Sequence, residues 1–233
     1  MHISEGVRAL DRDLRAVFGS RLRSLVAYGD AGGKHDSPAP TLAVVDGLTA
    51  GDLRACADKV ASWHDVGLAT PLVLHAQELS RLLDAFPYEF GAILADHAVV
   101  SGENPFDGLR VGPADLRHAC EIQARSHLLH LRQGYLETRG RGDALAELIA
   151  RSAPPFVALV KSVARLLGEP SLDKAGAAAL VERTLRVAAG TLGEIVKLHP
   201  GAPPSSDDAR RLLPGYLDAV ERLTSYIDDW TAS

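Results

Sequence analysis

The sequence predicts an α+β protein: a small mixed sheet covered by helices over residues 1–110, then an all-α antiparallel four-helix bundle over residues 112–233. Three observations carry this. Before Gly112, short apolar runs of strand length alternate with helical patterns; after it, every segment has helical periodicity. A third is the punctuation of the second half, where GRG at 140–142, Gly168 with Pro170, and HPGAPPSS at 199–206 separate long amphipathic stretches.

The elements follow in order. Residues 4–18 suit an opening helix with Ser4 as N-cap. LRSLVAY at 22–28 is an apolar run ending at Gly29, which suits a strand, and 30–40 is a loop of Gly, Ser and Pro. TLAVV at 41–45 is a second, β-branched strand. Thr49 caps a single helix over about 50–66, with Leu53, Cys56, Val60 and Trp63 on one face. Residues 71–74 read as a third strand, 76–96 as one or two helices broken at Pro87, and 99–101 as a short edge strand before Gly102.

In the second half Pro113 occupies a first helical position, and its helix runs to about Thr138. The next covers about 143–167, with Pro154 and Pro155 demanding a kink or restart. A third covers about 172–197, weakened at Gly190 and Gly193, and the last runs over about 207–230.

Composition narrows the function. The 233 residues are 46% hydrophobic and 24% charged, ordinary for a packed protein and unlike a disordered one. Net charge is −5, which argues against a phosphate backbone as the main partner. Lys stands only at 34, 59, 161, 174 and 197, so the positive charge is mostly Arg. Cys56 and Cys120 make no C-x-x-C pair and read as reduced, buried, hydrophobe-like residues. The first fifteen residues have no apolar core of a signal peptide, and no run of 18 apolar residues exists. The expected compartment is therefore the cytoplasm, with no membrane partner.

The segment LVAYGDAGGKHDSPAPTLAVV at 25–45 resembles the signature of the nucleotidyltransferase superfamily: strand, Tyr-Gly-Ser, small-residue turn, spacer, Asp-x-Asp strand. FPYEFGAILADHAVVSGENPF at 86–106 is similar to the family's link into its helical part, where a strand leads to a Gly-Glu-x-Pro turn. Kanamycin nucleotidyltransferase-like and minimal nucleotidyltransferases couple such a domain to a helical bundle, often of HEPN type. The resemblance thus implies a nucleotidyltransferase-like domain over 1–110, a HEPN-like bundle over 112–233, and a substrate cleft between them. It also implies pairing of two copies.

The family's chemistry needs carboxylates, because two Mg²⁺ ions bridge the nucleotide phosphates and activate the attacking hydroxyl. Laying the Asp-x-Asp strand on 39–45 puts Ala39 and Thr41 at the two acidic positions, and the third falls at Thr70 or Pro71. Asp30 replaces the Ser of the Gly-Ser turn, where its charge repels a triphosphate. The resemblance therefore implies the scaffold without its metal ligands. No catalytic residue and no metal ligand is assigned. Mg²⁺ and a nucleoside triphosphate are cofactors only if the site functions.

Gly29, Asp30, Gly32 and Gly33 are the candidate cofactor-binding residues, a turn whose backbone N–H groups cradle phosphate. The ordinary alternative is a tight strand-to-helix turn that needs Gly for positive φ. Asp30, Asp36 and Asp46 as an alternative metal set are better read as solvated loop acids.

Arg125 and His130 fit the R-x4-6-H pattern of HEPN ribonucleases, which implies acid–base cleavage of RNA. Against that, His127 falls with Leu116, Cys120, Ala124 and Leu131 and reads as a core or interface histidine. His118, Glu121 and Arg125 share a stripe, best read as a surface ion pair between Glu121 and Arg125, though the stripe also suits a cleft.

Three functions follow. The leading one is a catalytically degenerate nucleotidyltransferase scaffold acting as a ligand-binding or protein-interaction module. The others are an active Mg²⁺-dependent nucleotidyltransferase on a small molecule or protein, and a HEPN-type ribonuclease or toxin component.

Overall fold

The structure, a computed structural model, describes residues 4–29 and 40–231. Contacts divide the chain into two compact units, residues 1–111 and 112–233.

The first unit holds α1 (Glu5–Phe18), β1 (Leu22–Tyr28), β2 (Thr41–Val45), α2 (Ala50–Ala57), α3 (Val60–Asp65), β3 (Leu72–His75), α4 (Leu79–Ala85), α5 (Pro87–Ala95) and β4 (His97–Gly102). The strands form one mixed sheet in the order β3-β2-β1-β4. β1 is antiparallel to both β2 and β4, and β2 is parallel to β3. All five residues of TLAVV are buried because both faces of the sheet are covered.

On one face, α1 presents Val7, Leu10, Leu14 and Phe18 to Leu25, Ala43, Val45 and Trp63. On the other, Leu79, Leu83, Phe90 and Ile93 pack against Val26, Leu42 and Val44. Consecutive strand residues thus serve opposite cores, as the pleat requires. Ser4 caps α1 as expected, its hydroxyl accepting from the Val7 N–H at 3.3 Å.

The single helix expected over 50–66 is two. α2 ends at Ala57, the Lys59 N–H turns back to the Cys56 carbonyl at 2.9 Å, and α3 begins at Val60. Cys56 and Trp63 are buried as expected, but Leu53 is exposed. The break places Lys59 Nζ 2.8 Å from Asp13, whose other oxygen accepts from Trp63 Nε1 at 2.9 Å. The last strand is longer than expected, His97–Gly102, and is an edge of the sheet.

The second unit holds α6 (Pro113–Thr138), α7 (Gly142–Leu166), α8 (Lys174–Leu185), α9 (Thr191–Ile195) and α10 (Ser206–Asp229). Its core is mostly Leu, Val and Ala, with Phe156 and Tyr216 as its largest side chains. Of the kink or restart expected at Pro154 and Pro155, the restart does not occur: α7 is one helix through both. Nearby carbonyls gain side-chain donors: Ser152 Oγ gives to Ile149 at 2.9 Å, and the Tyr216 hydroxyl to Ser152 at 3.3 Å.

The helix expected over 172–197 is interrupted, because Arg186 and Gly190 are left-handed. Glu182 bridges the interruption, accepting from Leu192 and Gly193 N–H groups in the first turn of α9.

Candidate functional site

All four strands contribute to one end of the sheet. β1 finishes there at Tyr28 and Gly29; β2, β3 and β4 start there. The register sets Ala27 beside Thr41 and Tyr28 beside His97, and pairs Leu42 with Leu72. Thr41 therefore stands level with Pro71 across a strand spacing of about 4.8 Å.

Gly29 leaves β1 with φ +66, the left-handed region that glycine enters without strain. Its N–H donates to the Asp96 carbonyl at 2.9 Å, and the Tyr28 N–H to the Pro40 carbonyl at 3.2 Å. β1 and β2 are antiparallel neighbours, and β2 is the next described element after this turn. Asp30, Gly32, Gly33, Asp36 and Ala39 lie outside the described residues.

Thr41 is 1% exposed, and its hydroxyl has no hydrogen-bond partner among the described residues. Pro71 offers no side-chain oxygen. The Thr70 hydroxyl lies 3.0 Å from His64 Nε2. Asp46 follows the other end of β2, about 16 Å from Thr41 at strand rise, and pairs with Arg23 at 3.1 Å. It cannot join a metal site at the Thr41 end. Asp96 stands beside Gly29, with β1 between it and Thr41.

His97 is held between the α5 carbonyls of Ile93 and Leu94, each 3.1 Å from Nδ1, and Asn104 Oδ1, 3.2 Å from Nε2. Its ring meets Phe106 edge-on at 4.8 Å. Asn104 also accepts from the Phe106 N–H. The GENPF turn is thus pinned onto the start of β4, and both His97 nitrogens are engaged. Burial raises the Tyr28 hydroxyl above its usual pKa, so Tyr28 stays protonated.

Mg²⁺ wants several oxygen ligands, usually carboxylates. The described residues at this end of the sheet do not fit it. Among the described residues no three His, Cys, Asp or Glu side chains gather closely enough to hold any metal.

In the second unit, Glu121 accepts from Arg117 at 3.3 Å and Arg125 at 3.4 Å, and Arg125 also reaches Asp228 at 2.8 Å. The Glu121–Arg125 ion pair read from the sequence is present. His130, five residues on, sits about 140° around the helix from Arg125, at about 100° per residue. Its Nδ1 donates to the Ser126 carbonyl at 2.8 Å. The R-x4-6-H pair therefore does not converge on one phosphate.

His127 turns inward. Its Nε2 lies 2.8 Å from the Tyr216 hydroxyl and its ring stacks on Phe156 at 5.3 Å. Burial, aided by the neighbouring His130, lowers its pKa to about 4, so the ring is neutral near pH 7. The Tyr216 partnership left no sequence signal, since the two residues are far apart in the chain and each sits on an ordinary amphipathic helix. Cys56 and Cys120 are free and buried, and burial pushes the Cys120 thiol up to about 12, which makes it inert.

Comparison with protein-family models and with curated proteins found no match. Among solved structures, the chain is similar in fold to a spectinomycin adenyltransferase from Enterococcus faecialis, solved with ATP and spectinomycin. The TM-score is 0.53 at 15% sequence identity, over 94% of this chain and 98% of that one. The likeness establishes the nucleotidyltransferase fold and nothing finer. No helix among the described residues is long and apolar enough to cross a membrane.

Proposed function

We propose that this chain is a nucleotidyltransferase scaffold without the metal chemistry of that fold, serving as a ligand-binding or protein-interaction module. One observation carries the reading. The register of β2 and β3 sets Thr41 beside Pro71, where the resemblance expects carboxylates, and Thr41 is buried. A hydroxyl and an imino acid do not replace two carboxylates as ligands for a hard cation.

The test is calorimetric titration of the full chain with ATP, GTP, CTP and UTP, with and without Mg²⁺. A transfer assay using labelled nucleotides and aminocyclitol or aminoglycoside acceptors accompanies it. No Mg²⁺-dependent transfer to any acceptor is expected. Stoichiometric labelling of an acceptor would overturn the reading.

The same likeness favours a second reading, an active transferase acting on a small hydroxylated molecule. It spans nearly the whole length of an enzyme solved with nucleotide and drug. That reading needs Asp30 or Asp36 to supply the metal ligands. A ribonuclease of HEPN type draws no support from Arg125, which is engaged by Glu121 and Asp228.

A further inference from the structure

A second candidate site among the described residues lies away from the sheet, within the second unit. A cavity of about 350 Å³ opens between α6 and α7 near the middle of both helices. Leu131, Leu148, Pro155 and Leu159 give it an apolar wall. The His127 ring, backed by Phe156, adds an aromatic surface.

The hydrogen-bond inventory fixes what His127 offers. The Ser152 carbonyl can only accept, so the Tyr216 proton goes to it, and the Tyr216 oxygen accepts from His127 Nε2–H. Nδ1 of His127 is then an acceptor. At the rim, the His130 Nδ1–H is given to the Ser126 carbonyl, which leaves Nε2 for a ligand.

Glu147, one turn before Arg151 on α7, shares an adjoining cavity with it but does not line this one. None of the lining residues is acidic, and Arg151 makes no ion pair or hydrogen bond among the described residues. A guanidinium over an apolar wall suits one carboxylate attached to a flat hydrocarbon body. A nucleoside triphosphate, with several charges, would meet a single fixed cation. The volume lies at the small end for ligand pockets and suits a molecule of one or two rings.

We propose that the cavity between α6 and α7 binds a small aromatic monocarboxylate, with Arg151 meeting the carboxylate and the Leu131, Leu148, Pro155 and Leu159 wall meeting the ring. This site is separate from the strand end of the first unit and does not depend on whether that end is active.

The test titrates the full chain with indole-3-acetate and 4-hydroxybenzoate, and with indole-3-acetamide as the neutral control, by calorimetry. Saturable binding of at least one acid is expected, with the amide about tenfold weaker or worse. Arg151→Gln, an exposed substitution, should weaken the acid by about tenfold and leave the amide unchanged. Leu148→Trp, which fills the cavity, should remove binding of both. Absence of saturable binding by either acid overturns the proposal. So does equal affinity for acid and amide, or undiminished acid binding in Arg151→Gln, which stands as a test even if Leu148→Trp does not fold.

Discussion

His127 on α6 and Tyr216 on α10 meet at 2.8 Å, and the Tyr216 hydroxyl continues to the Ser152 carbonyl of α7 at 3.3 Å. Three helices are thereby joined by one hydroxyl that both accepts and donates. Tyr216→Phe keeps the ring but leaves a histidine N–H without its acceptor and takes a side-chain donor from the Ser152 carbonyl. The expected loss is about 1–3 kcal/mol in urea unfolding of the second unit. Adding His127→Phe to Tyr216→Phe removes that orphan, so the double variant should lose less than the sum of the singles.

His127 also gives the bundle a pH dependence. Its folded pKa, about 4, lies below the value of about 6.5 in the unfolded chain. The unfolded state therefore binds the proton more readily, and stability from this group is full above about pH 6.5 and lost as pH falls towards 4. Tyr216, Ser152 and Phe156 face the ring and carry no charge there; His130 adds a coulombic contribution, and Arg151 lines the same cavity. Wild type should lose about 2–3 kcal/mol more than His127→Gln between pH 7 and pH 4. Parallel denaturant curves at the two pH values measure this, the carboxylates common to both proteins cancelling. Equal losses would exclude the effect.

Much of the fold was legible because its signals are local. LRSLVAY and TLAVV are strands at the bounds read from the sequence, since a β-branched apolar run between turn residues has few other uses. Pro113 opens α6 and Thr138 closes it, as the proline and the GRG break imply. The break between α2 and α3 was invisible, because Cys56 and Trp63 stay two helical turns apart and the pattern runs through it. Its cause is distant: Lys59 and Trp63 both reach Asp13 on α1. The long stretch after 172 divides at Arg186, a residue type with no turn signal, as well as at the suspected Gly190. At the candidate site, Thr41 and Pro71 were flagged by resemblance, but their adjacency comes from strand register. Asp96 holding Gly29 is a backbone bond that no side-chain motif can announce.

Asp13 shows what the α2–α3 break secures. One carboxylate oxygen takes the Lys59 ammonium and the other the Trp63 indole N–H, and these bonds hold its pKa below the usual value. Asp13→Ala removes the acceptor of a buried indole, whereas Lys59→Ala removes only a half-exposed ammonium. The first should cost about 1–2 kcal/mol and the second less than about 1 kcal/mol in denaturant unfolding. Trp63 fluorescence would report the change directly, shifting in Asp13→Ala and not in Lys59→Ala.

Gly102 is the place where the end of β4 closes against β1. Its φ is +80, and a Cβ there would lie 1.9 Å from the Arg23 carbonyl oxygen. Backbone cannot rotate away as a flexible side chain can, so the strands must part locally. Gly108 provides the matched control: its φ is +75, but a Cβ there would meet nothing within 4 Å. Gly108→Ala should therefore carry only the left-handed penalty, about 1 kcal/mol. Gly102→Ala adds the collision and should cost about 2–4 kcal/mol, with faster hydrogen exchange at the β1 amides that face β4. Equal stabilities for the two variants would mean that Gly102 is required for its backbone angle alone, and that the β1–β4 contact tolerates a methyl group.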